Sequence, residues 1–154
     1  MKIIISPYSQ KMRNGNKNPK DFSCWDRVIQ ILKADGHNVT QIGVTGEARF
    51  EGVDEFLVDT PMLELKGILM CCDVWISVDN FLPHMAALYG KPGIVIFGKS
   101  DPEIFGYPLH KNLLKDHKYL REFPYDIWEK IEFSEDCFVE PEVVCDAVKE
   151  FVNA

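Results

Sequence analysis

In the stretch VDNFLPHMAALYGKPGIVIFGKSDP, Val78 to Pro102, a carboxylate, an amide and an imidazole gather around the first turn of a short apolar helix that leads into a strand. These are Asp79, Asn80 and His84. A helix that begins near Asn80 or Phe81 turns its first N–H groups and the positive end of its dipole outward, which suits a phosphate or diphosphate. His84, one turn in, can donate to a phosphate oxygen and offset its charge, although a lone imidazole in an apolar helix also serves as a satisfied core group. Asp79 has two roles open to it, hydrogen bonding to a ribose or sugar hydroxyl, or plain N-capping. Ser6 and Ser9, at the end of the first apolar run and just beyond it, add hydroxyls of the kind that contact phosphate.

The elements that must position these residues alternate between strand and helix, the sequence sign of a parallel α/β sheet. KIIIS, Lys2 to Ser6, is an apolar run of strand length followed by a polar loop. A helical period starts at Pro19 or Lys20, places Phe22, Trp25, Val28, Ile29 and Leu32 on one face, and stops at Gly36. Strands follow at Asn38 to Val44 and in EFLVD. Thr60 then reads as a cap, with Pro61 at the first helical position of PMLELKGILMC. DVWISV, Asp73 to Val78, is apolar throughout, as befits a strand covered on both faces. Beyond GIVIFG lies a long loop in which Asp101 reads as turn chemistry before Pro102. NLL is a short last strand, the segment through FPYDIWEKIEF is irregular, and EPEVVCDAVKEFVNA is an amphipathic helix with Pro141 in its first turn. Trp25 and Trp75 are expected in the core. In such a sheet ligands bind beyond the C-terminal strand ends, where Ser6 to Lys20, Val44 to Gly52, Asp79 to His84 and Gly98 to Pro108 all fall.

A chain of 154 residues is most simply one domain. With 46% hydrophobic and 27% charged residues it has the composition of an ordinary globular protein, and no apolar run approaches the roughly 20 residues of a membrane span. A net charge of −7 argues against broad contact with nucleic-acid phosphates. The short apolar run of MKIIISPYSQ is too brief for a secretory signal, so a cytoplasmic protein is expected. Cys24, Cys71, Cys72, Cys137 and Cys145 are odd in number and lack C-x-x-C spacing; they are expected as reduced core thiols, with no structural zinc. The absence of G-x-G-x-x-G after the first strand argues against a dinucleotide oxidoreductase, and an unrelated flavodoxin-like domain is a weaker alternative.

The opening stretch resembles the signature of glycosyltransferase family 9, the ADP-heptose:lipopolysaccharide heptosyltransferases, in which D-S/T-G-x-x-H-x-A-A-x-x-G-x-P precedes an apolar strand and FG-x-S/T-D-P. Asp79, His84, Ala86, Ala87, Gly90, Pro92, Phe97, Gly98, Asp101 and Pro102 match without a gap. Upstream, IISPYSQ, the Lys-bearing loop before a Trp-containing helix, GHNVTQIGVTGE and DTPMLELKGILMCCDVWISVDN follow in that family's order. The resemblance covers residues 1–108 well and 109–154 loosely. It departs from the pattern at Asn80, which stands at the usual Ser/Thr, and at Phe81, which puts a side chain where the usual Gly allows close backbone approach.

The resemblance implies the C-terminal half of a GT-B fold: a single α/β Rossmann-like domain over residues 1–154 with a mostly parallel sheet, holding a nucleoside-diphosphate sugar, most naturally ADP-linked. It implies a diphosphate-contacting lysine, Lys17 or Lys20, with Lys17 preferred, and an acid on the nucleoside, Glu47. It implies transfer of a heptosyl or hexosyl group to a glycan acceptor without a cofactor or metal. The acceptor domain and its general base have no counterpart in the sequence, so no catalytic residue is assigned. A homodimer or a partner supplying that domain is expected to cover the open cleft. A binding or regulatory module that keeps the nucleotide cleft without transfer is the alternative.

Overall fold

The computed structural model describes residues 1–154. In chain order its elements are β1 Lys2–Ser6, α1 Trp25–Ala34, β2 Asn38–Gly43, β3 Glu55–Val58, α2 Met62–Cys71, β4 Val74–Val78, α3 Phe81–Leu88, β5 Ile94–Phe97, α4 Pro102–Phe105, β6 Lys111–Leu114 and α5 Pro141–Val152. Two short 3-10 turns lie at His117–Tyr119 and Trp128–Lys130. The six strands form one sheet in the order β3-β2-β1-β4-β5-β6, and every neighbouring pair is parallel.

Parallel neighbours require crossovers over the sheet faces, which leaves central strands covered on both sides. β4 shows the consequence: all of Val74–Val78 is buried. Because alternate residues of a strand point to opposite faces, β1 feeds both cores. Ile3 and Ile5 join Ile76, Ile94 and Ile96 under α1 and α5, while Ile4 joins Trp75, Val95 and Phe97 under α2 and α3. Trp25 and Trp75 are both fully buried, one in each layer. The Trp75 ring packs directly on Gly93, where a Cβ would stand 2.0 Å from it.

Several boundaries differ from the sequence reading, each for a local reason. α1 begins at Trp25 rather than at Pro19 or Lys20. Asn18 captures the Lys20 amide at 2.9 Å and Asp21 reaches back to Ser9, so the intervening residues form a braced loop. α2 begins at Met62 after Pro61, and Thr60 does not cap it. Asp101 does more than start a turn: it accepts from the Glu103 amide at 2.9 Å and caps α4. All five cysteines are free, but only Cys72, Cys137 and Cys145 are buried; Cys24 and Cys71 are exposed, each at an end of its helix rather than on the inward face. No helix is long and apolar enough to cross a membrane.

Candidate nucleotide site

The strand order reverses between β1 and β4, and loops leaving the two strands diverge to opposite faces there. A cavity of about 630 Å³ opens at this point, walled by the C-terminal ends of β1 to β4 and the head of α3. It is of the size that small-molecule sites occupy. Ser6, Ser9, Glu47, Asp79, Asn80, Phe81 and His84 all line it. Lys17 does not. Its side chain is exposed, with Nζ 4.0 Å from the Phe133 ring centroid, and the lysine that lines the cavity is Lys20. Lys20 Nζ lies 5.6 Å from the Trp128 ring centroid, and the Arg121 guanidinium packs on the same ring at 3.7 Å.

The residues differ in what they have free for a ligand. Asn80, in extended conformation, is the N-cap of α3, a role Asp79 does not take. Its Oδ1 accepts from the Leu82 amide at 3.0 Å, and its Nδ2 donates to Ser6 Oγ at 2.9 Å and to the Tyr8 carbonyl at 3.0 Å. Asn80 is therefore a fastener between β1 and α3 rather than a free donor. With the Leu82 amide taken and Pro83 lacking one, the head of α3 offers the Phe81 N–H. This thins the expected cluster of unpaired amides, beside a Phe81 ring that is 45% exposed.

Ser9 is likewise committed, donating from both its amide, at 2.8 Å, and its hydroxyl, at 2.5 Å, to Asp21 Oδ1. Ser6 Oγ accepts from Asn80 and keeps its own proton to donate. Asp79 is half-buried at the end of β4, facing the cavity. His84 is exposed at the cavity wall, with Nδ1 2.7 Å from the Tyr107 hydroxyl.

On the β2 side, Glu47 folds back so that Oε1 accepts from the Val44 amide at 2.9 Å. Gly43 makes room for it, since a Cβ there would lie 2.5 Å from that oxygen. Burial pushes the Glu47 carboxyl above its usual range. Tyr8 stacks on Phe50, centroids 5.7 Å apart, and burial, followed by the nearby Asp21, raises its hydroxyl pKa, so it remains a donor at neutral pH. Asp59 adopts a left-handed φ of 54° and accepts from the Thr45 amide at 3.0 Å and from the Thr45 hydroxyl, pinning the loop after β2 to the end of β3. Those Thr45 bonds lower its pKa. The cavity lining thus combines the carboxylates of Glu47, Asp59 and Asp79 and the Tyr8 phenol with Lys20, the His84 imidazole and the head of α3.

Asp21 is 8% exposed, and burial raises its pKa despite the two bonds from Ser9 and the nearby Lys17 and Lys20. A carboxyl whose native pKa is raised binds a proton in the folded chain before it does in the unfolded one, so the native state gains stability as pH falls through that window. The wild type is accordingly expected to gain stability relative to Asp21→Asn between about pH 7 and about pH 4, read as urea midpoints. Parallel midpoint curves for the two proteins would contradict it.

Sequence reasoning passed over Tyr8, Asp59 and Tyr107. Asp59 carried the one usable signal, an Asx residue directly after a strand that had to end at the crevice. No group of three or more His, Cys, Asp or Glu side chains is arranged to hold a metal ion.

The geometry can be compared with known proteins. The sequence model of glycosyltransferase family 9 (heptosyltransferase) matches residues 4–118, more than half of the chain. The chain belongs to that family. No curated protein matches it. Among solved structures, Escherichia coli ADP-heptose lps heptosyltransferase II superposes with a TM-score of 0.68 at 14% identity, covering 97% of this chain and 46% of that one. E. coli heptosyltransferase WaaC with ADP gives 0.64 at 17%, covering 96% of this chain and 43% of that one. The dodecameric iron-containing heptosyltransferase TibC in complex with ADP-D-beta-D-heptose gives 0.61 at 18%, covering 90% and 35%. At these identities the likeness is one of fold. This family 9 chain spans less than half the length of each of the three.

Proposed function

We propose that the cavity between β1 and β4 binds a nucleoside-diphosphate sugar and that the chain is the donor-binding half of a glycosyltransferase. Family membership supports glycosyl transfer as the reaction class. The observation that carries the binding assignment is a cavity at the sheet's reversal point whose lining combines Glu47 and Tyr8 with Lys20, His84 and the head of α3. Carboxylates suit a ribose diol, and cationic and N–H groups suit a diphosphate. The ADP and ADP-heptose named for two of the similar structures favour an ADP-linked heptosyl or hexosyl donor.

In this reading the bond between the anomeric carbon and the diphosphate oxygen breaks, and the negative charge that develops on the leaving diphosphate is met by Lys20, by a His84 N–H and by the Phe81 amide. The glycan hydroxyl that attacks loses its proton to a base outside the cavity, supplied by a partner domain or a second copy. The exposed thiols Cys24 and Cys71 suit a reducing compartment and so a cytoplasmic protein.

The head of α3, with the Leu82 amide taken by Asn80 and the exposed Phe81 ring beside it, favours a second reading in which the chain binds a nucleotide without transferring a sugar. Release of nucleoside diphosphate in an acceptor-dependent assay separates the two.

Calorimetric titration with ADP, UDP, GDP and their sugar conjugates tests the binding assignment. Saturable binding to one nucleotide series is expected, weakened about five- to tenfold by His84→Ala and by Asp79→Ala, as loss of roughly 1 kcal/mol per hydrogen bond requires. Flat titrations from a folded wild type at millimolar ligand would overturn it.

A further inference from the structure

We propose that Tyr107 is a positioning residue for the cavity: its hydroxyl holds the His84 imidazole in the form protonated at Nε2, so that the ring presents a donor to a ligand phosphate. The second half of this statement rests on the nucleotide reading above; the first half does not.

Tyr107 Oη and His84 Nδ1 are 2.7 Å apart, and the two rings meet edge to face at 5.4 Å and 78°. A phenol is a better donor than acceptor, because its ring draws on the oxygen lone pair, whereas a neutral imidazole nitrogen without hydrogen accepts well. The pair therefore settles with Oη–H donating to Nδ1, and the proton of the neutral ring sits on Nε2. Nε2 lies on the side of the ring away from Tyr107, and the residue lines the cavity.

Tyr107 is itself held in place, as a positioning group must be. Its carbonyl accepts from the His110 amide at 3.0 Å and from Asn112 Nδ2 at 3.0 Å. Its ring meets the His110 ring edge to face at 5.6 Å, and His110 packs against Trp75 at 4.8 Å. His110 is 6% exposed, with Nε2 2.8 Å from the Pro83 carbonyl. Burial holds its pKa below the usual histidine range, so it stays neutral, donates Nε2–H to Pro83, and places no second imidazolium beside His84. Two consecutive residues of α3, Pro83 and His84, are thus gripped by the loop that follows α4.

Long-range 15N spectra of histidine-labelled protein read the tautomer with no ligand present, and the His84 signals are assigned by their loss in His84→Ala. We expect the Nε2–H form at His84 in the wild type and a mixture of tautomers in Tyr107→Phe, which keeps the ring packing, with the His110 signals unchanged. We also expect Tyr107→Phe to weaken ADP binding about five- to tenfold, and to add no loss on top of His84→Ala. An Nδ1–H form in the wild type, or an unaltered tautomer in Tyr107→Phe, overturns the proposal. A tautomer change with no ADP binding by either protein upholds the role of Tyr107 and overturns the nucleotide reading.

Discussion

Lys20→Ala is expected to weaken ADP binding by about ten- to a hundredfold, and Lys17→Ala by less than about twofold, since a hydrogen bond to a charged group contributes roughly 1.5–3 kcal/mol. The contrast follows from where the loop after β1 places the two ammonium groups. Lys20 lines the cavity, and its ammonium lies 5.6 Å from the Trp128 ring centroid. Lys17 is exposed over Phe133 and outside the cavity. The burden on Lys20 is large because two positions in the first turn of α3 offer no free amide: Asn80 takes the Leu82 amide and Pro83 has none. Calorimetry at two salt concentrations checks it, because an ammonium–phosphate contact weakens as salt rises. A larger loss from Lys17→Ala would mean that the diphosphate lies over the Phe133 side of the loop.

Asn80→Ala is expected to destabilise the fold by about 2–4 kcal/mol, combining the loss of an N-cap with that of partly buried hydrogen bonds. Asn80 joins three pieces of chain: the first turn of α3 through Leu82, the end of β1 through Ser6, and the loop beyond it through Tyr8. Alanine leaves the Leu82 amide and the Tyr8 carbonyl without their partners. Asn80→Ser can still accept from the Leu82 amide but is too short to hold β1 and the Tyr8 loop together, so it is expected to recover about 1 kcal/mol. Urea midpoints at constant m-value measure both. Wild-type stability in Asn80→Ala would show that the α3 head is held by packing alone.

Most of the sheet could be read from sequence because its signals are local. The unbroken VWISV of β4, the run KIIIS of β1 and IVIF of β5 announce buried parallel strands from composition alone, and Trp25 and Trp75 fall inside for the same reason. The start of α1 is not legible in the sequence because Phe22 sits on the helical face by spacing, while the bonds that unwind Lys20 to Cys24 come from Asn18 and Ser9, whose pull periodicity does not record.

The site was legible in outline for a related reason. Strand ends in a parallel sheet converge on the reversal point, which brings Ser6, Glu47, Asp79 and His84 to one cavity. Which lysine reaches it was not legible, because the path of the loop is set by Asn18 donating to the Gln10 carbonyl and by Asp21 bonding Ser9 across the loop. Between adjacent Asp79 and Asn80, either could cap α3; the choice fell to Asn80 because only its amide can also donate to β1. Tyr107 lies 23 residues from His84 and carries no motif that would pair them.

The central claim is that a nucleoside diphosphate occupies the cavity between β1 and β4, and backbone amide shifts of 15N-labelled protein titrated with ADP test it residue by residue. The account predicts saturable shifts at Ser6, Gly43, Glu47, Phe81 and His84, with the amides of α5 unmoved. Shifts confined to another face of the sheet, or none at millimolar ADP from a well-dispersed spectrum, would contradict it.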